Sequence, residues 1–441
     1  MKKLLAFVLV LALACGLFAA GSKEAASNAG GPIEITLLTY DGVRDANGKL
    51  NIETVAEEYM KRNPNVKVNI DLQAENDSIE FLKKLDLLQL SGDTAEVIHV
   101  PSFREYALRA EKGFFRPIDD LIAGEGISYD SEYGYPTQIN GKSYGIPFEP
   151  GIYGVLINKD MLDAAGLPIP EEGWTWDDYA TYAKAMTKGS GASKIYGSFM
   201  HSWSEFKREG LFNVVMDNPY VKEDGTSNLD SPYFRTWLEY MWKLEQVDKS
   251  QVPYADMKAT GMHYRDVFMN GQVAMIPIGT WMFDTVIDVA KYPHTFQTIF
   301  APFPVFEDGK PGVTQGSASY FVIGANTTDE KAKAAYDFMR WYSGDGSVLL
   351  DKFPATRSGD LIGVLRSKVG SRTDLLDVDS VETVWNSPNM VANIIGRDAA
   401  LFSEIDNVYN TEVELYLLGT QSLDKTLENV SKQADTIIRN K

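Results

Sequence analysis

The sequence predicts an α/β protein of more than one domain with mostly parallel sheets, and three observations carry this. Strand-like β-branched runs alternate with amphipathic helical segments along the chain. The 441 residues leave about 410 after an N-terminal leader and tether, more than one ordinary domain holds. The only cysteine, Cys15, lies in that leader, so the folded part has no internal disulfide and rests on its own hydrophobic core. A hydrophobic content of 44% with 23% charged residues places that core in a soluble globular protein.

Lys2 and Lys3 precede an uncharged apolar run, Leu4 to Ala20, which gives way to small and polar residues. Residues 1–21 read as a signal peptide and 22–32 as a flexible tether. Two cleavages stay open. Cys15 after Leu13-Ala14 forms a lipobox and would carry lipid, although Ala12 stands where Leu is usual; Ala19 and Gly21 form the small pair for cleavage after Gly21.

Ile33–Thr39 reads as a strand, 52–62 as a helix ended by Asn63-Pro64, and Val66–Leu72 as the next strand. A helix over 78–90 and a strand over 96–100 follow, then a helix with Tyr106, Ala107 and Ala110. The β-branched strand 153–157 runs into Asn158 as cap of a helix over 159–165, stopped by Gly166 and Pro168. Thr175 caps a further helix, and Asp177 and Asp178 in its first turn suit the helix dipole. Asp224-Gly225 marks a hairpin turn within 213–230, and 231–247 reads as a helix with a Trp/Tyr/Leu face. A strand over 273–278 leads to a helix opening at Gly279-Thr280-Trp281; Thr328 and Ser422 cap later helices. There is no internal repeat and no Gly/Ser linker after residue 31.

Formal charge is −19, or −21 once Lys2 and Lys3 leave with the signal (40 basic against 61 acidic residues). Such a surface repels phosphate backbones and anionic lipid, so nucleic-acid binding and a polybasic membrane patch are excluded. His99, His201, His263 and His294 have no metal-ligand spacing, and one cysteine rules out a thiolate zinc site. A calcium loop over 41–53 fails because registering Gly48 at the sixth place puts Val43 at the first. Gly141-Lys142-Ser143 lacks the upstream Gly of a phosphate-binding loop, and no GxSxG occurs. No cofactor and no metal is expected.

Residues 144–187 read YGIPFEPGIYGVLINKDMLDAAGLPIPEEGWTWDDYATYAKAMT. The order Tyr-Gly-Ile-Pro, Asn-Lys-Asp, Ala-Gly-Leu, Trp-Thr-Trp-Asp resembles the solute-binding proteins of carbohydrate ABC importers, the group containing the maltose-binding proteins. The stretches 262–286, 316–344 and 414–440 resemble further motifs of that family, so the likeness covers roughly 33–440, with 346–412 least diagnostic. Glu96 departs from it, since the family commonly has Asp there. The resemblance implies a two-lobed periplasmic-binding-protein fold of type II, its ligand cleft between lobes joined by a hinge of several crossings. Residues 33–147 with 301–350 would form the first lobe, and 148–300 with 351–441 the second. It also implies a monomer that is no enzyme, binding a small-molecule carbohydrate outside the cytoplasm and delivering it to importer membrane subunits, with membrane contact only through a lipid on Cys15.

In open α/β sheets the crevice lies beyond the carboxyl ends of the strands. That rule selects Tyr40 and Asp41, Glu75 and Asn76, Ser102 and Arg104, and Trp281, each just after a strand. Glu149 and Tyr153 lie at the first crossing that the resemblance implies; Ser317 and Ser319 enter only through the 316–344 motif and precede a strand. Trp203 and Trp385 are aromatic residues in expected loops that could line a cleft or pack in a core. Sugars need flat apolar faces for their CH edges and carboxylates, amides or Arg for their hydroxyls. Trp281 matches a family position that stacks on sugar; its alternative role is to anchor a helix start. The alternative role of Asp41 is that of a turn residue, because Asp-Gly is a strong turn dipeptide. The rival class is an exported glycoside hydrolase with Asp41 and Glu149 as its carboxylate pair, one with raised pKa.

Overall fold

The computed structural model describes residues 31–441, apart from 46, 94, 216–217 and 395–398. Cys15 and the signal and tether segments, except for Gly31 and Pro32, lie outside the described residues. The strands are β1 (Ile33–Thr39), β2 (Val66–Leu72), β3 (Val97–Val100), β4 (Gln138–Ile139), β5 (Lys142–Ser143), β6 (Gly145–Asn158), β7 (Tyr196–Ser198), β8 (Val273–Gly279), β9 (Thr298–Ala301), β10 (Val313–Val322) and β11 (Val391–Asn393). Nine of them form one hydrogen-bonded path, β2-β1-β3-β10-β6-β8-β7, with β9 on β6 and β11 on β10.

The expected mostly parallel pairing is corrected to a mixed one. β1 pairs β2 and β3 in parallel, as does β7 with β8. β6 and β10 enter antiparallel, to each other and to their other main neighbours. The reason is topological: a strand that runs on from one sheet into the next meets the second against the direction of its βα units. β6 does this over 14 residues. Its first half pairs β10 (Gly145↔Val322 to Ile152↔Gly316), and its second half pairs β8 and β9 from Tyr153↔Gly279 onward.

The buried side chains divide at that point. Ile35, Val97, Phe148, Phe321, Tyr342 and Ala355 belong to one core, with a satellite around Phe81, Tyr106 and Tyr320. Ile152, Ile157, Trp176, Trp237, Phe303, Leu365 and Tyr409 belong to the other. Three passages of chain join them: β6, β10 and the stretch between Ala355 and Leu365. The cores carry ordinary burial energetics, with a side chain such as Leu or Phe contributing about 1.5–3 kcal/mol when fully removed from water.

Local signals act as expected at most ends. Asn158 Oδ1 accepts from the Met161 N–H at 3.1 Å, and Thr175 and Asp178 form a reciprocal capping box. Val221 bridges Ser227 across the Asp224-Gly225 turn, with Gly225 at φ 82°. Ser422 Oγ accepts from Lys425 N–H at 3.3 Å. Thr328 is corrected: it precedes helix 329–341 but makes no side-chain cap bond. Among the described residues no helix is long and apolar enough to cross a membrane.

Candidate functional site

The floor of the candidate site is where β6 and β10 pass from one core to the other. Ser317 pairs with Gly151 and Ser319 with Phe148, so Glu149 and Pro150 stand against Ala318 alone. This bulge puts Glu149 at φ 49°, in the left-handed region an L-residue rarely enters. Its carboxylate turns toward Lys352, whose ammonium donates to Glu149 Oε1 and, at 3.1 Å, to Asp41 Oδ2. Ser317 and Ser319 are corrected in placement: they lie within β10, alternating with buried Gly316, Ala318 and Tyr320, because the strand already begins at Val313, ahead of both.

Asp41 is held as a turn residue and as an ion-pair partner at once. Its N–H donates to Thr39 Oγ1 at 3.0 Å, and its Oδ1 accepts from the Val43 N–H at 3.1 Å. Burial opposes its charge, yet Lys352, His99 and the Val43 N–H together hold its carboxyl below the usual range. Burial instead raises Glu149, against the pull of Lys352 and with the push of Asp41. Tyr40 packs its ring on His99 (centroids 4.5 Å apart) and reaches the Ser319 hydroxyl. His99 is buried against Thr39 Oγ1 at 3.0 Å, and burial drives its pKa down to about 3.

Beyond the crossing stands an aromatic wall. Trp281, part-buried, follows β8 and sits edge-on to Tyr153 with centroids 5.2 Å apart. Its Nε1–H donates to the Tyr264 hydroxyl at 3.2 Å. Trp203 follows β7, with its ring 5.3 Å from Tyr264, 4.7 Å from His201 and 6.4 Å from Trp281. The indole of Trp281 lies on the backbone of Gly279, where a Cβ would stand 1.8 Å from its Cζ3. Trp281 therefore is both a helix-start residue, preceding helix 282–287, and a part-buried ring; Tyr153, 4% exposed, serves as its support.

Five other expected residues are engaged by partners outside the Asp41–Glu149–Lys352 cluster. Glu75 is exposed and pairs with Arg44 at 3.3 Å, while Asn76, at φ 58°, accepts from the Gly42 N–H. Ser102 is spent as a helix cap, accepting from the Glu105 N–H. Arg104 is engaged by Glu105 at 2.7 Å and by Asn407 Oδ1 at 2.8 Å, with Asp406 at 3.8 Å, so it ties helix 103–111 to helix 399–417. Trp385 ends helix 378–385 instead of lying in a loop, because Asp377 accepts from Ser380 N–H and starts that helix; its ring packs on Phe353 at 5.6 Å. Lys352, Gly279, Tyr264 and His201 were missed. Lys352 lies in the least diagnostic stretch, and no local pattern marks it. Gly279 was legible as a small residue two before a tryptophan, though only the fold brings indole and backbone together.

The arrangement can grip a polyhydroxylated ligand: an aromatic face for CH groups and charged oxygens for hydroxyls. The comparisons agree with the geometry. Residues 47–348 match the family described as bacterial extracellular solute-binding protein. The chain belongs to that family. A lactose-binding protein of Rhizobium radiobacter is 22% identical over 404 residues, 87% of this chain and 88% of the relative. An ABC substrate-binding protein of Listeria monocytogenes, solved in complex with cycloalternan, superposes with a TM-score of 0.74 at 22% identity over 92% of this chain and 99% of that one. UgpB of Mycobacterium tuberculosis, in complex with glycerophosphocholine, gives 0.71 at 16% identity over 93% and 99%. These likenesses establish the two-lobed type II fold. The hydrolase alternative finds no support, since this is a family of binding proteins, and Asp41 and Glu149 share one ammonium.

Proposed function

We propose that this solute-binding protein is the substrate-binding component of a carbohydrate ABC importer, taking a sugar or oligosaccharide and presenting it to the membrane permease subunits. One observation carries the reading: a part-buried indole, Trp281, stands across the strand crossing from the charged floor of Asp41, Glu149 and Lys352. Tyr40, Ser317 and Ser319 supply further hydroxyls, and Trp203 extends the aromatic wall. Glu75, Asn76, Ser102, Arg104 and Trp385 are assigned rim or supporting roles, given their existing bonds.

The lobes in this reading follow the expected bounds, 33–147 with 301–350 and 148–300 with 351–441, adjusted at their ends by the cores: Phe148 and Ala355 pack with the first lobe and Phe303 with the second. Rigid lobes on a multi-strand hinge close on ligand. Two export readings go with this function, a lipid on Cys15 or cleavage after Gly21: under the first Cys15→Ser should release the chain from membranes, and unchanged partitioning with a mature N-terminus at Ser22 would establish the second.

The test is a thermal-shift panel of lactose, arabinotriose, maltotriose, mannotriose and glycerophosphocholine on the purified protein. A ligand that binds only the folded state raises stability by RT ln(1 + [L]/Kd), about 2.7 kcal/mol at 100 Kd. At least one carbohydrate should raise the melting temperature, remain uncleaved, and reduce the radius of gyration in solution scattering. A shift with glycerophosphocholine alone would overturn the carbohydrate reading; cleavage would restore an enzyme.

A further inference from the structure

The turn just before Ala355 contributes one side chain to the site, Lys352. Its predecessor Asp351 sits at φ 52°, and Glu149 across from it at φ 49°. Glu149 and the residue just before Lys352 are both held in the left-handed region, and such strain persists only where the surroundings fix it. Lys352 and its partners Asp41 and Glu149 come from three separate segments: the turn just before Ala355, the loop after β1 and the bulge in β6. The Lys352 and Asp41 side chains are only 13% and 12% exposed. Two carboxylates gathered on one ammonium, the Glu149 side chain itself only 26% exposed, repel each other and need that counter-charge to stay ionised together. Glu149 Oε2 has no hydrogen-bond partner among the described residues, so it is free to accept from a hydroxyl.

We propose that Lys352 is the positioning residue of the ligand floor: its ammonium holds Asp41 and Glu149 ionised and side by side so that their oxygens can accept sugar hydroxyls. This rests on the carbohydrate reading above for the identity of the ligand, and on geometry alone for the clamp. The charged and titratable groups facing the cluster are Tyr40 and His99 beside Asp41, Tyr342 beside Lys352, and Asp284 beyond Glu149, itself paired with Lys368.

Lys352→Met tests it in two arms. Without ligand, one carboxyl of the pair should keep its proton to well above the ordinary range. A raised folded pKa contributes stability below the unfolded value and loses it as pH rises through the folded one. Relative to wild type, the melting temperature of Lys352→Met should therefore fall progressively from pH 5 to pH 8, and the added Glu149→Gln change should flatten that difference. With the best-binding sugar of the panel, Lys352→Met should weaken affinity about ten- to a hundredfold at pH 7.5, the size of a lost charge-assisted contact. Parallel melting curves across pH, or wild-type affinity in Lys352→Met, would overturn the proposal. If wild type binds no carbohydrate of the panel, the carbohydrate reading fails, while the ligand-free arm still decides the clamp. Should Lys352→Met not fold, the single variant Glu149→Gln decides: with the wild-type pair held ionised, its effect on stability should be the same at pH 7 and pH 8, and a gain that grows with pH over that range would show a retained proton and overturn the clamp.

Discussion

Gly279→Ala probes the aromatic wall without touching any polar group. Gly279 is buried at the end of β8, opposite Tyr153, and its φ lies outside the left-handed region, so alanine is acceptable to the backbone. The obstacle is the Trp281 indole, whose Cζ3 would be 1.8 Å and whose Cε3 and Cη2 would each be 2.3 Å from the new methyl carbon. Ordinary contact begins at 3.4 Å, so the ring must move by 3.4 − 1.8 = 1.6 Å. A shift of that size strains the 3.2 Å bond from Nε1 to the Tyr264 hydroxyl and the edge contact with Tyr153. Overpacking of this kind costs about 1–3 kcal/mol of stability. Losing a central aromatic anchor weakens binding by about 2 kcal/mol or more, which is over tenfold in Kd. Calorimetric titration with the best sugar of the panel, on Gly279→Ala, Trp281→Ala and the double variant, isolates the mechanism. If the glycine acts through the indole, adding Gly279→Ala to Trp281→Ala costs no further affinity. Wild-type affinity in Gly279→Ala, or an equal loss in both backgrounds, would refute the reasoning.

Two other outcomes follow from buried charge. Asp406 accepts from Arg208 Nε at 3.1 Å, the Tyr220 hydroxyl at 2.6 Å and Asn410 Nδ2 at 3.0 Å, all away from solvent; Asp406→Ala should cost about 3–5 kcal/mol, read by denaturant melts, whereas Arg104→Ala should cost far less because Arg104 is a quarter exposed and 3.8 Å from Asp406. Burial holds His99 and His201 at about 3, below their usual 6.5; their contribution is whole above pH 6.5 and is lost as pH falls toward 3, by up to about 1.4 kcal/mol per pH unit for each. Buried Glu209 is raised and acts in the opposite sense, so the comparison is His201→Phe against wild type between pH 7 and 5, and equal slopes would contradict it.

The sequence by itself determined the local structure and the family. Periodicity placed the strands from Ile33 to Val100 almost to the residue, and Asn158, Thr175, Gly225 and Ser422 acted as caps and turns because those roles depend on bonds within three or four residues. Strand ends likewise pointed to Tyr40, Asp41 and Trp281, since the carboxyl edge of a sheet is a property of chain direction. Tertiary structure decided what those residues can do. Glu75 and Arg104 sit at strand ends just as Asp41 does, yet partners distant in sequence, including Asn407 some three hundred positions away, engage them elsewhere, while Ser102 is taken by a local helix cap. Lys352 carries no local signal, and it matters only because the chain returns between the cores and sets its ammonium between two carboxylates from other segments. Local bonds leave a pattern in sequence; a charge balanced over long separation does not, because its cost and its compensation arise only when folding removes the water between them.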